Sequence, residues 1–317
     1  MARGKTLTLW PAVLLLAPLF AVEPAGGQDV APEESLKFSG GVDLVELHAT
    51  VTNRKGAVVG GLQKDNFQVF EDGKPQNIRI FQHEDVPVAV GLAVDNSGSM
   101  RRKRKDVTDA ALAFVRASNS HDLMFVVNFN EHVTFGLPNT QLFSANPVEL
   151  ETALNGVPAN GRTALYDAID VALAHVAKAT LDKKVLIVIS DGGDNASRRT
   201  LAETLDKVER SSAIVYTIGL FDEYDSDRNP GVLKKIASAT GGEMFELVET
   251  SAVVPTCERI ASDIRNQYTI SYVPADSKRD NAYRAIKVTA TGRHGEKYSV
   301  RTRTGYVASP DPQEHLP

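Results

Sequence analysis

The chain has very little cysteine: Cys257 is the single one among 317 residues. An intrachain disulfide is therefore impossible, and the folded state depends on apolar burial and on any bound metal. A lone cysteine of this kind is most often inert packing. The chain also lacks a basic excess, since 35 lysines and arginines stand against 40 aspartates and glutamates. Nucleic acid is therefore not the expected partner.

Sequence motifs that mark common enzymes are missing as well. The serine-rich stretch reads Asn96-Ser97-Gly98-Ser99-Met100, which is not a Gly-x-Ser-x-Gly nucleophile elbow. No glycine-rich phosphate loop with its lysine is present. Asp95 ends an apolar segment as a phosphotransfer aspartate does, but Ser97 replaces the second carboxylate two residues on. These absences predict a non-enzymatic protein and leave a hydrolase as the less favoured alternative.

One long apolar run exists, at the N-terminus. Arg3 and Lys5 precede the apolar segment 7–22, which two prolines interrupt and small residues follow. This is the three-part pattern of a secretory signal peptide, and the run is short for a membrane span. No cysteine lies nearby to carry a lipid. We predict a cleaved signal peptide at 1–27 and a secreted or periplasmic protein; the alternative is an uncleaved N-terminal membrane anchor.

The character of the sequence changes twice after the signal segment. Residues 28–37 are polar and predict a linker, and the tail 309–317 is predicted to be disordered. Segments 38–84 and 267–308 alternate apolar and polar residues between turn signals, as antiparallel strands do. In 86–266, near-continuous apolar runs alternate with helical patterns. That alternation predicts an α/β fold with a doubly wound, mostly parallel sheet.

Neither β segment is large enough to bury a core of its own. We therefore expect 38–84 and 267–308 to pack together as a small antiparallel β-sandwich, with the α/β domain inserted between them. The dipeptide Asp72-Gly73 in the first segment is a strong signal for a hairpin turn.

Three oxygen-bearing side chains follow the first apolar run of the α/β segment. Asp95, Ser97 and Ser99 come directly after residues 86–94. Alternate positions in an extended loop direct their side chains the same way. Hard oxygen ligands of this type suit Mg²⁺ rather than zinc or copper.

Two further pieces fall at the same edge of the predicted sheet. Asp191 follows the apolar strand 184–189 as Asp95 follows its own strand, and Thr163 stands just before the helix 164–179. Gly161 gives the backbone room to approach there. Ligands of open α/β sheets bind beyond the carboxyl ends of the strands, so these residues are expected to meet.

The five positions resemble the metal-ion-dependent adhesion site of von Willebrand factor type A (VWFA) domains. The family pattern is Asp-x-Ser-x-Ser, then a distant threonine and a distant aspartate. The matching residues are Asp95, Ser97, Ser99, Thr163 and Asp191. The resemblance covers about residues 86–266 and implies a VWFA, Rossmann-like fold. With its β segments, the whole chain is similar to the exported bacterial VWFA-related family.

The resemblance also implies roles for these residues. Ser97 and Ser99 would contact Mg²⁺ directly, with Mn²⁺ or Ca²⁺ as alternatives, and Thr163 would do so in the ligand-bound state. Asp95 and Asp191 would act mostly through water. An acidic side chain of a partner protein would fill the remaining position. The implied function is metal-dependent protein binding by an exported adhesion module; the alternative is a metal-independent scaffold with a vestigial site.

Charged clusters flank the predicted site. The basic run that follows the first loop consists of Arg101, Arg102, Lys103, Arg104 and Lys105. Either it is a solvated face or it steers an acidic ligand to the metal. The acidic run 222–227 is predicted to be a mobile loop. Asp194 and Asn195 are predicted to be turn and cap residues rather than ligands.

Overall fold

The computed structural model describes residues 44–83, 85–221 and 228–308, together with Met1. The predicted signal peptide, linker, acidic run and tail lie outside these residues, as does the beginning of the first β segment. Within the described ranges, none of the helices combines the length and hydropathy needed to span a bilayer.

The elements of the described residues follow the predicted order. The first β segment contains β1 (Val45–Thr52), β2 (Phe67–Glu71), β3 (Lys74–Gln76) and β4 (Ile78–Gln82). The α/β segment contains β5 (Val88–Asp95), α1 (Arg104–Ala117), β6 (Leu123–Phe129), β7 (Val133–Phe135), α2 (Pro147–Asn155), α3 (Leu165–Val176), β8 (Lys183–Ser190), α4 (Leu201–Arg210), β9 (Ile214–Leu220), α5 (Pro230–Ala239), β10 (Met244–Leu247) and α6 (Val253–Arg265). The second β segment contains β11 (Tyr268–Tyr272), β12 (Tyr283–Thr291), β13 (Lys297–Arg301) and β14 (Gly305–Val307).

The α/β segment forms a six-stranded sheet in the order β10-β9-β8-β5-β6-β7. All its pairings are parallel except that of the short edge strand β7, so the predicted mostly parallel α/β sheet is confirmed. Every residue of β5 and β9 is buried, which explains their near-continuous apolar sequences. Strands β6 and β7 lie on one side of β5, and strands β8, β9 and β10 lie on the other. The order in which strands are added therefore reverses between β5 and β8, which creates a crevice at the carboxyl ends of these two strands.

Helix caps in this segment follow local sequence signals. The Asn146 side chain accepts a hydrogen bond from the Val148 amide at 3.0 Å, with Pro147 at the first helical position of α2. An asparagine cap followed by proline is a common way for a helix to begin. Beyond α5, Gly241 adopts a φ of +83°, the left-handed conformation that favours glycine after the end of a helix.

Both β segments contribute to one antiparallel sheet in the order β3-β2-β12-β13-β1-β11-β4, with β14 paired to β12. Three strands separate β2 from β11, which would put them about 19 Å apart in a flat sheet. Yet the rings of Phe67 and Tyr268 lie 5.0 Å apart, and the Tyr272 hydroxyl donates to Glu71 at 2.6 Å. The sheet therefore curves until its two halves face each other across a shared core. This antiparallel sheet, built from both β segments around one core, is consistent with the predicted small β-sandwich.

The curved sheet is tied to the α/β segment through Arg301 at the end of β13. Its guanidinium donates to Asp263 of α6 at 3.0 Å and to Glu243, just before β10. The Asp263 side chain is 3 % exposed. A carboxylate buried to this degree requires a cationic or hydrogen-bonding partner. The position of α6 therefore depends on the curved sheet.

Replacing Arg301 by methionine is expected to lower the free energy of unfolding by about 2–3 kcal/mol, because the buried Asp263 carboxylate loses its ion-pair partner and Glu243 keeps only Arg259 among the described residues. Lys297→Met in the same strand removes a positive charge at an exposed position and serves as the control. Urea denaturation of the full chain measures both. Equal losses in the two variants would contradict the proposed tie.

Candidate metal centre

The parallel pairing of β5 with β8 places Asp95 beside Ser190. Val94 is in register with Ile189, and the next residue of each strand begins the site. The Ser190 hydroxyl donates to one Asp95 carboxylate oxygen at 2.6 Å, and the Ser97 amide donates to the other at 2.8 Å. Asp95 is 2 % exposed. Its carboxylate is therefore fixed at both oxygens before any ligand arrives.

Ser97, Ser99 and Asp191 form a continuous line of oxygens. The Ser97 and Ser99 hydroxyl oxygens lie 3.1 Å apart, and the Ser99 hydroxyl donates to Asp191 Oδ2 at 2.5 Å. Adjacent ligands of an octahedral Mg²⁺ are about 2.9 Å apart, given metal–oxygen distances near 2.1 Å. The observed spacings bracket that value. The donor set consists of hydroxyls and carboxylates, which hard cations prefer.

Thr163 reaches the same edge through its backbone. Gly161, with a φ of +77°, accepts a hydrogen bond from the Gly98 amide at 3.1 Å and joins the two loops. The Thr163 amide donates to the Asn195 side chain at 2.9 Å, and the Asn195 amide donates back to the Thr163 carbonyl at 3.0 Å. Thr163 is 5 % exposed. In the described part of the chain, no hydrogen bond joins its hydroxyl to the other four predicted ligands.

Two buried carboxylates at this site oppose each other electrostatically. Burial, reinforced by the charge of Asp191, raises the pKa of the Asp95 carboxyl to about 7. Hydrogen bonds from Ser190 and Ser97 counteract this rise only in part. A divalent cation placed between these oxygens would offset both the burial and the repulsion. The electrostatics of the site therefore fit a bound cation.

Sequence reasoning missed residues that hold the site together. Ser190 binds Asp95, and Asn195, predicted only as a turn or cap residue, holds the Thr163 peptide from both sides. Asn96 donates to Asn128 Oδ1 at 3.0 Å and accepts from Arg104. Polar residues at strand ends are the available sequence signal, but their partners become known only from the tertiary structure.

Most side chains of the basic run form hydrogen bonds or ion pairs with neighbouring residues. Its contacts are Arg101 Nε to the Ala159 carbonyl at 3.2 Å, Lys103 Nζ to the Leu220 carbonyl at 2.8 Å, and Arg104 Nη1 to the Asn96 side chain. Lys105 pairs with Asp109 one turn along α1, at 2.5 Å. The Arg102 side chain is exposed and has no partner among the described residues. The run thus braces the loops of the site, a role that neither sequence interpretation included.

No group of three or more histidines, cysteines, aspartates or glutamates that could hold a metal ion occurs in the described ranges. The candidate centre has two carboxylates and relies on hydroxyls for its other oxygens. This composition distinguishes it from a zinc site, which uses imidazole and thiolate ligands.

Comparison with known proteins identifies the family. The family model for the von Willebrand factor type A domain matches residues 90–259, more than half of the chain. The chain belongs to this family. The predicted VWFA resemblance of the α/β segment is thereby confirmed. A comparison with curated protein sequences finds no match.

Solved structures resemble this VWFA protein at low sequence identity. A von Willebrand factor type A protein from Catenulispora acidiphila is 14% identical, with a TM-score of 0.52 over 87% of this chain and 76% of that one. The likeness in fold therefore extends beyond the VWFA domain. BatB from Bacteroides thetaiotaomicron is 18% identical over 56% of this chain and 98% of its own, with a TM-score of 0.43. The vWF domain of the type V pili tip protein Mfa5 from Porphyromonas gingivalis is 14% identical over 57% and 95%, with a TM-score of 0.48.

The raised pKa of Asp95 predicts how pH affects the metal-free VWFA protein. Because the folded-state value of about 7 exceeds the unfolded value near 4, the folded state binds more protons between these limits. Stability is therefore expected to fall as pH rises from about 4 to 7. In EDTA at pH 7.5, Asp95→Asn should raise the free energy of unfolding by about 1–3 kcal/mol.

Chemical denaturation at pH 5 and pH 7.5 measures this effect. Asp109→Asn, which removes an exposed carboxylate on α1, is the control. If wild type and Asp95→Asn have parallel pH profiles, the buried charge is not the source of the pH dependence.

Proposed function

We propose that this protein binds a divalent cation, Mg²⁺ in the first instance, and uses it to hold an acidic side chain of a partner protein. The observation that carries the proposal is the line of oxygens from Ser97 through Ser99 to Asp191, at spacings of 3.1 and 2.5 Å. These spacings bracket the distance of about 2.9 Å between adjacent oxygen ligands of a small octahedral cation.

Ser97, Ser99 and Thr163 would supply neutral hydroxyl oxygens to the cation, with Asp95 and Asp191 behind them. When bound, the cation supplies a positive charge that neutral hydroxyls leave largely uncompensated. The protein's own contribution is preorganisation. Asp95 accepts from the Ser97 amide and from Ser190, so the first loop is held in place without a ligand. The cost of ordering the loop is therefore met during folding rather than during binding.

The arrangement of the hydroxyls supports binding rather than catalysis. Ser99 donates to a carboxylate and Ser97 contacts Ser99, so in the described residues neither is hydrogen-bonded to an imidazole that could act as a general base. The protein is accordingly proposed to be non-enzymatic. A phosphatase and esterase screen of the purified protein checks this directly, and turnover that Ser97→Ala or Ser99→Ala abolishes would make it an enzyme.

The proposed setting is outside the cytoplasm. This part of the proposal rests on the basic and apolar pattern of residues 1–27, which predicts a signal peptide. The partner would then be another exported or surface protein. Mass spectrometry of the protein recovered from its native host tests the cleavage: a mature chain beginning near residue 28 is expected, and an intact N-terminus would favour the membrane anchor.

Mg²⁺ should stabilise the wild-type protein against denaturation. At a metal concentration 100 times its dissociation constant, the gain is about 2.7 kcal/mol. Ser99→Ala removes one oxygen of the line and should weaken Mg²⁺ binding at least 10-fold, as measured by calorimetry. Ser120→Ala, at an exposed turn before β6, should bind like wild type. Absence of binding to the wild type at millimolar Mg²⁺ or Mn²⁺ would favour the metal-independent scaffold.

Partner capture should depend on the same site. In an affinity pull-down, wild-type protein with Mg²⁺ is expected to retain its partner, whereas EDTA or the Asp95→Ala substitution should release it. Thr163→Ala should weaken partner binding more than Mg²⁺ binding, because the family resemblance assigns Thr163 to the ligand-bound state. A partner retained equally in EDTA would contradict the role of the metal.

A further inference from the structure

Three separate loops next to the candidate metal centre each carry an exposed arginine. Arg102 follows the Asp95–Ser99 loop, Arg162 precedes Thr163, and Arg228 precedes α5. All three are exposed. They are distant from one another in the sequence, so the tertiary structure alone brings them to one edge of the sheet.

Hydrogen bonds place each of these loops at the site. The Gly98 amide donates to the Gly161 carbonyl at 3.1 Å, which brings the loop that carries Arg102 against the loop that carries Arg162. On the other side, the Asn229 amide donates to the Asp191 carbonyl at 3.1 Å, and Arg228 is the preceding residue. The three arginines therefore belong to loops that adjoin the loops of Ser97, Ser99 and Asp191.

No ion pair to a carboxylate is found for these three arginines among the described residues, whereas two other exposed arginines have one. Arg199 pairs with Asp170 at 2.9 Å, and Arg259 pairs with Glu243 at 3.1 Å. By contrast, Arg162 uses one guanidinium nitrogen for the Asn195 carbonyl at 3.4 Å, and no ion pair is found for Arg102 or Arg228 within the ranges described. The Glu131 carboxylate accepts a hydrogen bond from the Arg162 amide at 3.2 Å.

Among the described residues, none of the three guanidinium groups forms an ion pair, so a single carboxylate held by the cation would leave them without a carboxylate partner. Guanidinium groups bind carboxylates through paired, planar hydrogen bonds. A surface of one charge sign also raises the association rate of an oppositely charged partner. The arrangement thus fits a ligand that carries several carboxylates close together.

We propose that the partner presents an acidic peptide segment, with one carboxylate at the metal and its neighbours at Arg102, Arg162 and Arg228. This inference rests on the proposed function, because it requires the cation to hold the first carboxylate. It goes further in specifying a run of acidic residues rather than a single one.

Two labelled peptides test the proposal on the full chain by fluorescence anisotropy in Mg²⁺. One carries four consecutive aspartates between glycines, and the other carries one aspartate in the same frame. The tetra-aspartate peptide is expected to bind wild type at least 10-fold more tightly at 100 mM salt, and its affinity should fall steeply as salt is raised. Equal affinities for the two peptides would overturn the inference.

A triple variant, Arg102→Gln, Arg162→Gln and Arg228→Gln, is expected to lose about 10-fold in affinity for the tetra-aspartate peptide and less than 3-fold for the single-aspartate peptide. The matched control changes three exposed arginines of the curved sheet and should bind like wild type. These control substitutions are Arg54→Gln, Arg79→Gln and Arg293→Gln. If both triple variants lose affinity equally, overall charge rather than this surface binds the peptide, and the inference is wrong.

Calorimetry with Mg²⁺ alone separates this inference from the proposed function. If Mg²⁺ binds but wild type does not prefer the tetra-aspartate peptide, the inference fails and the metal site stands. If Mg²⁺ does not bind, or the tetra-aspartate peptide binds equally well in EDTA, both fail. Unchanged Mg²⁺ affinity in the triple variant shows that the site remains folded.

Discussion

The candidate site depends on the parallel pairing of the two central strands, β5 and β8. Their register puts Asp95 beside Ser190, and a hydrogen bond of 2.6 Å joins the two side chains. The Asp95 carboxylate is thereby held in a buried position at the edge of the sheet. An antiparallel pairing would bring the carboxyl end of one strand against the amino end of the other. The Ser97–Ser99 loop and Asp191 would then lie far apart. The topology of the sheet is therefore the first requirement for the chemistry.

The buried carboxylate has an electrostatic cost that the surrounding structure only partly offsets. The pKa of Asp95 stays raised despite the hydrogen bonds from Ser190 and Ser97, because its carboxyl group is buried and because the charge of Asp191 lies close by. A buried carboxyl group with a raised pKa is typical of functional sites, where a ligand of opposite charge can offset its charge. The remaining loops are braced around this point, by Asn195 on the Thr163 side and by Arg101 and Lys103 on the other.

Much of this architecture could be predicted from the sequence. Continuous apolar runs identify β5 and β8 because these strands are buried, and the alternation of such runs with helical patterns identifies the α/β segment. The short strands β7 and β14 have too few residues for any period to show. The curvature of the β sheet was not predictable, because it depends on contacts such as that between Phe67 and Tyr268, which are 201 residues apart in the chain.

In the site, too, some features could be predicted from the local sequence and others only from the tertiary structure. Asp95, Ser97 and Ser99 follow a strand in a recognisable spacing, whereas the supporting role of Ser190 depends on a partner 95 residues away.

The most direct test of the account is a crystal structure with Mn²⁺, using its anomalous scattering. The account predicts a single strong peak about 2.2 Å from the hydroxyl oxygens of Ser97 and Ser99. A fully ordered loop with no peak there at saturating Mn²⁺ would contradict it.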